Sequence, residues 1–204
     1  MGHNIISLGR QFGSGGREIG QKLASELGVP YYDRELISMA AKRAELQEAV
    51  FEGKEEKAAS RWLFTGVYAG GPKVRRGRPA EDILFEMQSQ VILELARKED
   101  CIIVGRCADY VLQSAGLPVL SLFVCAPFQW RVRRRMELEK LDERAAAKLV
   151  EKMDRRRGEY YHYYTKREWG IPESYDLCVN SATLGIDRTA HLLAVHYREL
   201  ISRR

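Results

Sequence analysis

Residues 4–20 read NIISLGRQFGSGGREIG, and this stretch decides the fold. An apolar run, 4–8, leads into a turn, 9–16, in which four of eight residues are glycine. Beyond the turn, apolar residues repeat at helical spacing as far as Gly28, a residue type that commonly ends a helix. The pattern predicts a strand, a glycine-rich turn and a helix, in that order.

Such a turn has the chemistry of a phosphate site, because glycines let the backbone approach an anion and the helix N-terminus attracts it. The common pattern G-x-x-x-x-G-K-[ST] is broken: no Lys follows the glycine pair, where Gly16 and Arg17 stand, and Glu18 takes the place of the hydroxyl residue. Arg10 or Arg17 could supply the missing cation. Glu18 could contact Mg²⁺ directly, through water, or not at all, and the alternative is a tight structural turn.

The rest of the chain alternates short apolar runs with helical periodicity, which is typical of a parallel α/β sheet covered on both faces. We predict an extended piece at 29–32 and strands at 101–104, 119–125 and 176–180. Helices are predicted over 34–46, from Glu81, within 128–169 and over 186–201. Between them, 46–80 is polar and rich in Gly, Pro and Arg, and we interpret it as an insertion with some helix around 62–68.

Composition limits the class of protein. The 204 residues are 45% hydrophobic and 30% charged, as in a globular chain of one domain, and unlike a disordered, collagenous, coiled-coil or disulfide-rich chain. The charge-free stretch 110–130 is interrupted by polar residues and prolines, and its apolar part, 117–126, is shorter than the roughly 20 residues that a membrane helix needs. No secretory signal is visible, and the four cysteines form no C-x-x-C motif. We therefore expect a cytoplasmic protein with free thiols and no membrane partner.

Positive charge is concentrated in 131–157, where eleven Arg and Lys against six Asp and Glu give +5, the net charge of the whole chain. An arginine-rich lid over phosphates, a solvated helix face and a nucleic-acid surface are all compatible with this. The interspersed acidic residues, and the lack of a recognisable nucleic-acid-binding motif, disfavour nucleic acid as a partner.

Polar residues follow two of the predicted strands. Arg106 stands after strand 101–104, at the sheet edge where α/β proteins bind ligands, although it could instead pair with Asp109 at the surface. Asp33 and Arg34 follow the extended piece at 29–32. Asp33 suits a helix N-cap, which is compatible with a ligand role.

Four segments together resemble the cytidylate kinase-like proteins, a branch of the P-loop nucleoside monophosphate kinases. They are SLGRQFGSGGREIGQKLASELGVPYYDRELI at 7–37, IIVGRCADYVL at 102–112, the RVRRR and DRRRG helices, and YDLCVNSATLGID at 175–187. The resemblance implies a single domain over 1–204 with the five-stranded parallel sheet of P-loop NTPases. It also implies that 46–80 is a helical insertion over the acceptor nucleotide and that about 131–169 forms the arginine-rich lid.

The resemblance also implies roles for individual residues, with ATP and Mg²⁺ as cofactors and small nucleotides as partners. We assign no residue as a protein metal ligand. Catalytic roles go to Arg17, Arg106 and Arg157. The donor loop comprises Gly13, Ser14, Gly15, Gly16, Arg17 and Glu18, and acceptor binding falls to Asp33, Arg34, Arg106, Asp154 and Arg157. Cys107 stands where the family motif G-R-D has its Asp.

Three functions follow as hypotheses. The first is ATP-dependent phosphoryl transfer to a nucleoside monophosphate, CMP or dCMP by resemblance, and the second is a kinase of another small acceptor. The third is a non-catalytic protein that binds nucleotide or nucleic acid. The lid arginines favour the first two, and the missing Lys favours the third.

Overall fold

The structure is a computed structural model that describes residues 4–33, 35–36, 38–39, 74–75 and 78–202. Most of the predicted insertion at 46–80, including the helix expected around 62–68, lies outside the described residues. So does much of the helix predicted over 34–46, of which 35–36 and 38–39 are helical.

A five-stranded sheet forms the centre of the fold, and all its strand pairs are parallel. Its order is β2-β5-β1-β6-β7, which places β1 in the middle. A separate antiparallel pair, β3 and β4, precedes the second long helix. The strands are β1 (Ile5–Arg10), β2 (Tyr31–Tyr32), β3 (Val74–Arg75), β4 (Arg78–Pro79), β5 (Cys101–Val104), β6 (Val119–Cys125) and β7 (Leu177–Asn180).

Helices cover both faces of the sheet. We number those with defined bounds α1 (Gly16–Leu27), α2 (Ala80–Lys98), α3 (Ala108–Ser114), α4 (Phe128–Glu139), α5 (Glu143–Thr165) and α6 (Ser181–Ser202). Gly28 ends α1 in the left-handed conformation, and its N–H donates to the Ala24 carbonyl, as the sequence predicted.

Alternate residues of the strands divide the core into two layers. Ile5 and Ile103 face α2 and α3, whereas Ile6, Leu8 and Ile102 pack against α1 and α6. All five are at most 2% exposed. This burial on both faces explains why the strands read as continuous apolar runs, and it confirms the predicted α/β class.

The charged region predicted as one long helical stretch is two helices. Lys140 adopts a left-handed conformation at the end of α4, and Asp142 caps α5 by accepting a hydrogen bond from the Ala145 N–H at 2.8 Å. Two helical pieces make up α6, because the backbone of Gly185 is not helical (φ 74°, ψ 174°). The helix predicted over 186–201 follows this break, and the short piece that begins at Ser181 was not predicted. None of the described helices is both long enough and apolar enough to cross a membrane.

Helices α4 and α5 share a small core of their own at the carboxyl edge of the sheet. Val132, Val150 and Met153 pack there against Phe12, which belongs to the glycine-rich turn. The arginine-rich helices are thus packed directly onto that turn.

Candidate functional site

The glycine-rich turn forms an open cradle at the end of β1, the central strand. Gly13 (φ 83°) and Gly15 (φ 77°) have left-handed backbones that a side chain would strain, and Gly16 is the first residue of α1. A Cβ added to Gly16 would lie 2.5 Å from the Arg10 Cβ. The glycines are therefore needed for this shape. The Gly16 N–H donates to Ser14 Oγ at 3.4 Å, so the N–H groups that could bind an anion are those of Arg17 and Glu18, which follow it in the first turn of α1.

Ser14 lies beneath the cradle. Its side chain is fully buried and donates a hydrogen bond to the Gln11 carbonyl at 2.9 Å. Its own carbonyl accepts a 2.6 Å hydrogen bond from the buried hydroxyl of Ser181. The Ser14 side chain thus braces the turn from within, and any contact of this residue with a phosphate would be through its backbone.

The peptide groups of Phe12 are held from both sides by α4 and α5. The Phe12 N–H donates to Asp154 Oδ1 at 2.7 Å, and the Phe12 carbonyl accepts from Arg131 Nη1 at 3.1 Å. Arg131 is 6% exposed, forms an ion pair with Asp154 Oδ2, and donates from Nε to the Ala126 carbonyl at 2.9 Å. Asp154, assigned to acceptor binding by resemblance, therefore contacts the turn and does not line the pocket. Its role as a ligand residue stays a prediction.

A cavity of about 350 Å³ opens above the turn and reaches the loop that follows β5. Most of the charged side chains that line the cavity are arginines. The cavity is lined by six arginines against three carboxylate side chains, namely Arg10, Arg17, Arg106, Arg134, Arg135 and Arg157 against Glu18, Asp33 and Asp109.

Arg10 and Arg17, the two candidates for the cation that replaces the P-loop Lys, both form ion pairs with Asp33. Arg17 Nε lies 3.3 Å from Asp33 Oδ2, and Arg10 Nη2 lies 3.5 Å from Asp33 Oδ1. Asp33 is buried, at 6% exposed, and these two arginines balance its charge. Through these two ion pairs, the carboxylate predicted as a helix cap connects the turn to the end of β2. Its role as a cap stays a prediction, because Arg34 and Ile37 lie outside the described residues.

Arginines of α4 and α5 also contact the turn. The sequence analysis did not identify two of them, Arg134 and Arg135, as site residues. The Arg134 Nε lies 3.6 Å from the position of a Cβ on Gly15, and Arg135 and Arg157 lie over the Phe12 ring at 4.4 and 5.5 Å. Arg157 also donates to the Arg10 carbonyl at 2.8 Å. The cluster RVRRR was a visible signal, but its spacing alone did not distinguish the inward arginines from the outward ones.

Two of the arginines in this part of the cavity form ion pairs within the protein, Arg134 with Glu18 and Arg135 with Glu139. Glu18 pairs with Arg134 at 2.6 Å, so the residue in place of the Mg²⁺-binding hydroxyl is engaged by the lid. Burial, and then the charge of Arg134, lower the pKa of the Arg135 guanidinium. Within the described chain, the buried Nε atoms of Arg134 and Arg135 have no hydrogen-bond partner. An anion on the turn would relieve both effects.

Arg106 lines the same cavity. It follows β5 in a run of three left-handed residues, Gly105 (φ 71°), Arg106 (φ 59°) and Cys107 (φ 54°). Two of these are not glycine, and such strained backbone is concentrated at functional sites. No ion pair of Arg106 is found among the described residues, and the predicted alternative, a pair with Asp109, is not formed.

Asp109 lies in the first turn of α3 and is 5% exposed. Its Oδ2 accepts a 2.7 Å hydrogen bond from the Tyr161 hydroxyl. Burial raises the pKa of Asp109, and the hydrogen bond from Tyr161 opposes that shift. Burial also raises the pKa of the Cys107 thiol, so Cys107 stays protonated at neutral pH.

The four cysteines carry free thiols, and Arg34 lies outside the described residues. Across the part of the chain that the structure describes, no cluster of three or more His, Cys, Asp or Glu side chains could hold a metal ion.

The chain is similar in overall fold to proteins of known structure. No curated protein matches the sequence significantly. Among solved structures, an uncharacterized protein from Eubacterium ventriosum ATCC 27560 is similar at 26% identity and a TM-score of 0.70, covering 96% of this chain and 99% of that one.

Two kinases share the fold at lower identity. A gluconokinase from Sinorhizobium meliloti 1021 is 15% identical with a TM-score of 0.55, covering 98% of this chain and 97% of that one. The shikimate kinase from Bacteroides thetaiotaomicron is 15% identical with a TM-score of 0.50, covering 99% of both chains. A family model, described as the cytidylate kinase-like family, matches residues 5–183, and the chain belongs to that family.

Proposed function

We propose that the protein transfers the γ-phosphoryl group of MgATP to a small phosphate-bearing acceptor, a nucleoside monophosphate of the CMP or dCMP type. One observation carries the proposal: the glycine cradle and Arg106 line a single arginine-rich cavity at the carboxyl edge of the sheet. Two phosphate sites in one cavity are what transfer between phosphates requires, since the reaction depends mainly on alignment and on positive charge.

On the donor side, the first-turn N–H groups of α1 would bind the ATP phosphates, assisted by the helix dipole. Arg134, Arg135 and Arg157 lie against the cradle, and their charge would stabilise the phosphoryl group during transfer. Mg²⁺ would arrive with the nucleotide and neutralise its charge. Helices α4 and α5 would form the lid and exclude water from the reacting groups.

On the acceptor side, Arg106 would bind the acceptor phosphate. Its planar guanidinium grips two oxygens at once, and its lack of an ion pair in the described chain leaves its charge to the ligand. Arg17 is fixed by Asp33 between the cradle and this wall, where it would contact the phosphate in transit. The cavity also has aromatic surfaces for a base, from Tyr160, Trp169 and Tyr175.

The test is acceptor-dependent ADP formation. The protein is incubated with ATP, Mg²⁺ and one acceptor at a time, from a panel of nucleoside monophosphates and of small alcohols. We expect ADP with a monophosphate, a strong reduction in Arg106→Gln, and normal rates in Arg133→Gln. Arg133 is an exposed arginine of α4 that does not line the cavity, and it is the matched control. ADP formation with alcohols alone would indicate a kinase of a different acceptor.

The second candidate is a protein that binds nucleotide without turnover. The observation that favours it is that Arg17 and Glu18, the two residues that follow the cradle, both pair with protein groups. Calorimetry separates the two candidates. ATP binding at the cradle without ADP formation, for every acceptor in the panel, supports the non-catalytic protein.

A further inference from the structure

An ion pair connects the first turn of α1 to helix α4. The Glu18 Oε1 lies 2.6 Å from the Arg134 Nη2, and the two residues are 116 positions apart in the sequence. Both side chains line the cavity, so the pair lies beside the space that donor phosphates would enter. Phosphate loops of the common pattern have a neutral hydroxyl residue where this chain has the Glu18 carboxylate.

The Glu18 carboxylate offers Arg134 the same chemistry as a phosphate. It is an anionic oxygen acceptor at the N-terminus of a helix, where the helix dipole favours negative charge. Arg134 lies over the cradle, because its Nε is 3.6 Å from the position of a Cβ on Gly15. Burial, and then the charge of Arg134, lower the pKa of Arg135, and the charge of Glu18 opposes this shift. One carboxylate therefore acts on both arginines of α4 that would contact the donor.

The surroundings of Glu18 determine what its release from Arg134 would cost. Lys22, one turn further along α1, forms its own ion pair with Asp187 at 2.7 Å, so it is already engaged. The Glu18 side chain is 47% exposed, and water would solvate the released carboxylate. Release is therefore unfavourable but modest in cost, as for other exposed ion pairs.

We propose that Glu18 is an internal competitor of the donor phosphates for Arg134. Without nucleotide, the carboxylate holds Arg134, and with it α4, on the cradle, and phosphate oxygens replace the carboxylate when the donor binds. The displaced carboxylate then lies near the phosphates and repels them. The exchange should cost more for free ATP than for MgATP, since Mg²⁺ reduces the charge of the phosphate chain. This inference rests on the proposed function, because it assumes that the donor phosphates bind at the cradle.

Calorimetry tests the exchange by titration of the full chain and of Glu18→Gln with ATP in EDTA and, separately, with MgATP. The amide keeps the size of the side chain and removes its charge. We expect ATP in EDTA to bind Glu18→Gln about 3–10-fold more tightly than the wild type, and MgATP to show a smaller gain. A residue that only maintained the structure of the cradle would give the opposite sign.

Hydrogen exchange provides a second readout of the same contact. Without nucleotide, the backbone amides of α4 should exchange faster in Glu18→Gln than in the wild type, since the ion pair no longer holds the helix. With ATP bound, the two proteins should exchange at the same rate. Equal exchange of α4 in the two nucleotide-free proteins would overturn the inference.

Glu26→Gln is the matched control. Glu26 lies in the last turn of the same helix and does not line the cavity. It pairs with Arg198 at 3.2 Å and with His191 at 2.9 Å. The substitution changes the net charge of the protein by the same amount, and we expect the affinity for both forms of ATP to stay within about twofold of the wild type. An equal gain in the two variants would attribute the effect to net charge and overturn the inference.

Two further results of the titrations would contradict the competition. Weaker binding of MgATP by Glu18→Gln, with unchanged binding of ATP in EDTA, would assign Glu18 to the metal ion of the donor. Unchanged affinity for both forms, or no binding of ATP by the wild type, would show that Glu18 does not compete with phosphates.

The titrations contain no acceptor, so they separate failure of the inference from failure of the proposed function. A gain in ATP affinity in Glu18→Gln, together with no ADP formation for any acceptor, would support the competition and contradict the transfer reaction. ADP formation by the wild type, without that gain, would support the transfer reaction and overturn the competition.

Discussion

The cavity has two regions, the glycine cradle (the donor wall) and the segment that follows β5 (the acceptor wall), and they differ in whether their charged side chains form ion pairs. On the donor wall, Arg131 pairs with Asp154 and Arg134 pairs with Glu18, so protein groups fix the glycine cradle before any ligand arrives. On the acceptor wall, Arg106 and Asp109 have no ion pair in the described chain. The donor wall is thus preorganised by the fold, whereas the acceptor wall is completed by its ligand.

This difference predicts how each wall responds to mutation. Residues that hold the cradle should contribute to the free energy of unfolding as well as to activity. Residues of the acceptor wall should affect ligand binding with little loss of stability, because functional groups without partners are maintained at a cost to the folded state.

The largest effect on stability is expected for Arg131→Ala. The change leaves Asp154 without its cation and the Phe12 carbonyl without its donor, so the free energy of unfolding should fall by about 3 kcal/mol. Urea denaturation measures this. Arg133→Ala, two positions away and exposed, should change stability by less than about 0.5 kcal/mol. Equal effects of the two substitutions would mean that the cradle is not held by the lid helices.

Arg106→Ala should give the largest effect on acceptor use. Loss of a charge-assisted phosphate contact should cost about 2–3 kcal/mol in kcat/KM for the acceptor, with ATP affinity preserved. Stability should hardly change, because Ala at φ 59° keeps the same backbone strain. Steady-state kinetics and ATP calorimetry on the same sample measure both properties. Equal losses for ATP and acceptor would place Arg106 on the donor wall.

Asp109→Asn should stabilise the protein at neutral pH by about 1 kcal/mol. A residue that is kept for function at a cost in stability commonly gives a gain of this size when it is replaced. The pKa of Asp109 is raised above its ordinary value of 3.8 in the folded state. The folded protein therefore holds the proton more tightly than the unfolded chain, and the carboxyl destabilises the fold increasingly as pH rises above 3.8.

Thermal unfolding from pH 4 to pH 7 tests this sign. Burial raises the pKa of Asp109, and four groups oppose that shift: the Tyr161 hydroxyl, the backbone hydrogen bonds from Tyr110 and from Asp109 itself, and the charge of Arg167. We expect the melting temperature of Asp109→Asn to exceed that of the wild type at pH 7 and to approach it near pH 4. A variant that is less stable at pH 7 would show that the carboxylate is stabilised in the folded state after all.

The smallest stability effect is expected for Arg17→Ala. The Arg17 side chain is 47% exposed, so its ion pair with Asp33 should contribute between about 0 and 1 kcal/mol. Turnover should nevertheless fall strongly, and Arg17→Lys should restore part of it because the charge survives. Normal turnover in Arg17→Ala, with loss in Arg10→Ala, would assign the role to Arg10.

The sequence was sufficient to predict the five strands of the parallel sheet and the cradle, since these depend on local pattern, whereas the short pair β3 and β4 was not predicted. The boundaries of β5 and β6 and the end of α1 at Gly28 agree with the predictions, because short apolar runs and glycine act over a few residues. The break near Lys140 was missed, because a charged helical pattern continues across it.

The contacts of the site could not be predicted in the same way, because they join residues far apart in the chain. Phe12 and Asp154 are 142 residues apart, and Asp109 and Tyr161 are 52 apart. Resemblance implied an acceptor-binding role for Asp154, and the sequence left open a surface pair between Arg106 and Asp109. Packing of α5 against the cradle and α3 determines instead which carboxylate is paired and which faces the cavity.

The most direct test of the central claim is transfer of label from γ-³²P-ATP to CMP in a single turnover, with the wild type and Arg106→Ala compared. A cavity that holds donor and acceptor on facing walls predicts labelled CDP in the wild type and a strong loss in the variant, with ATP still bound. Label released only as inorganic phosphate, or equal transfer by both proteins, would contradict the account.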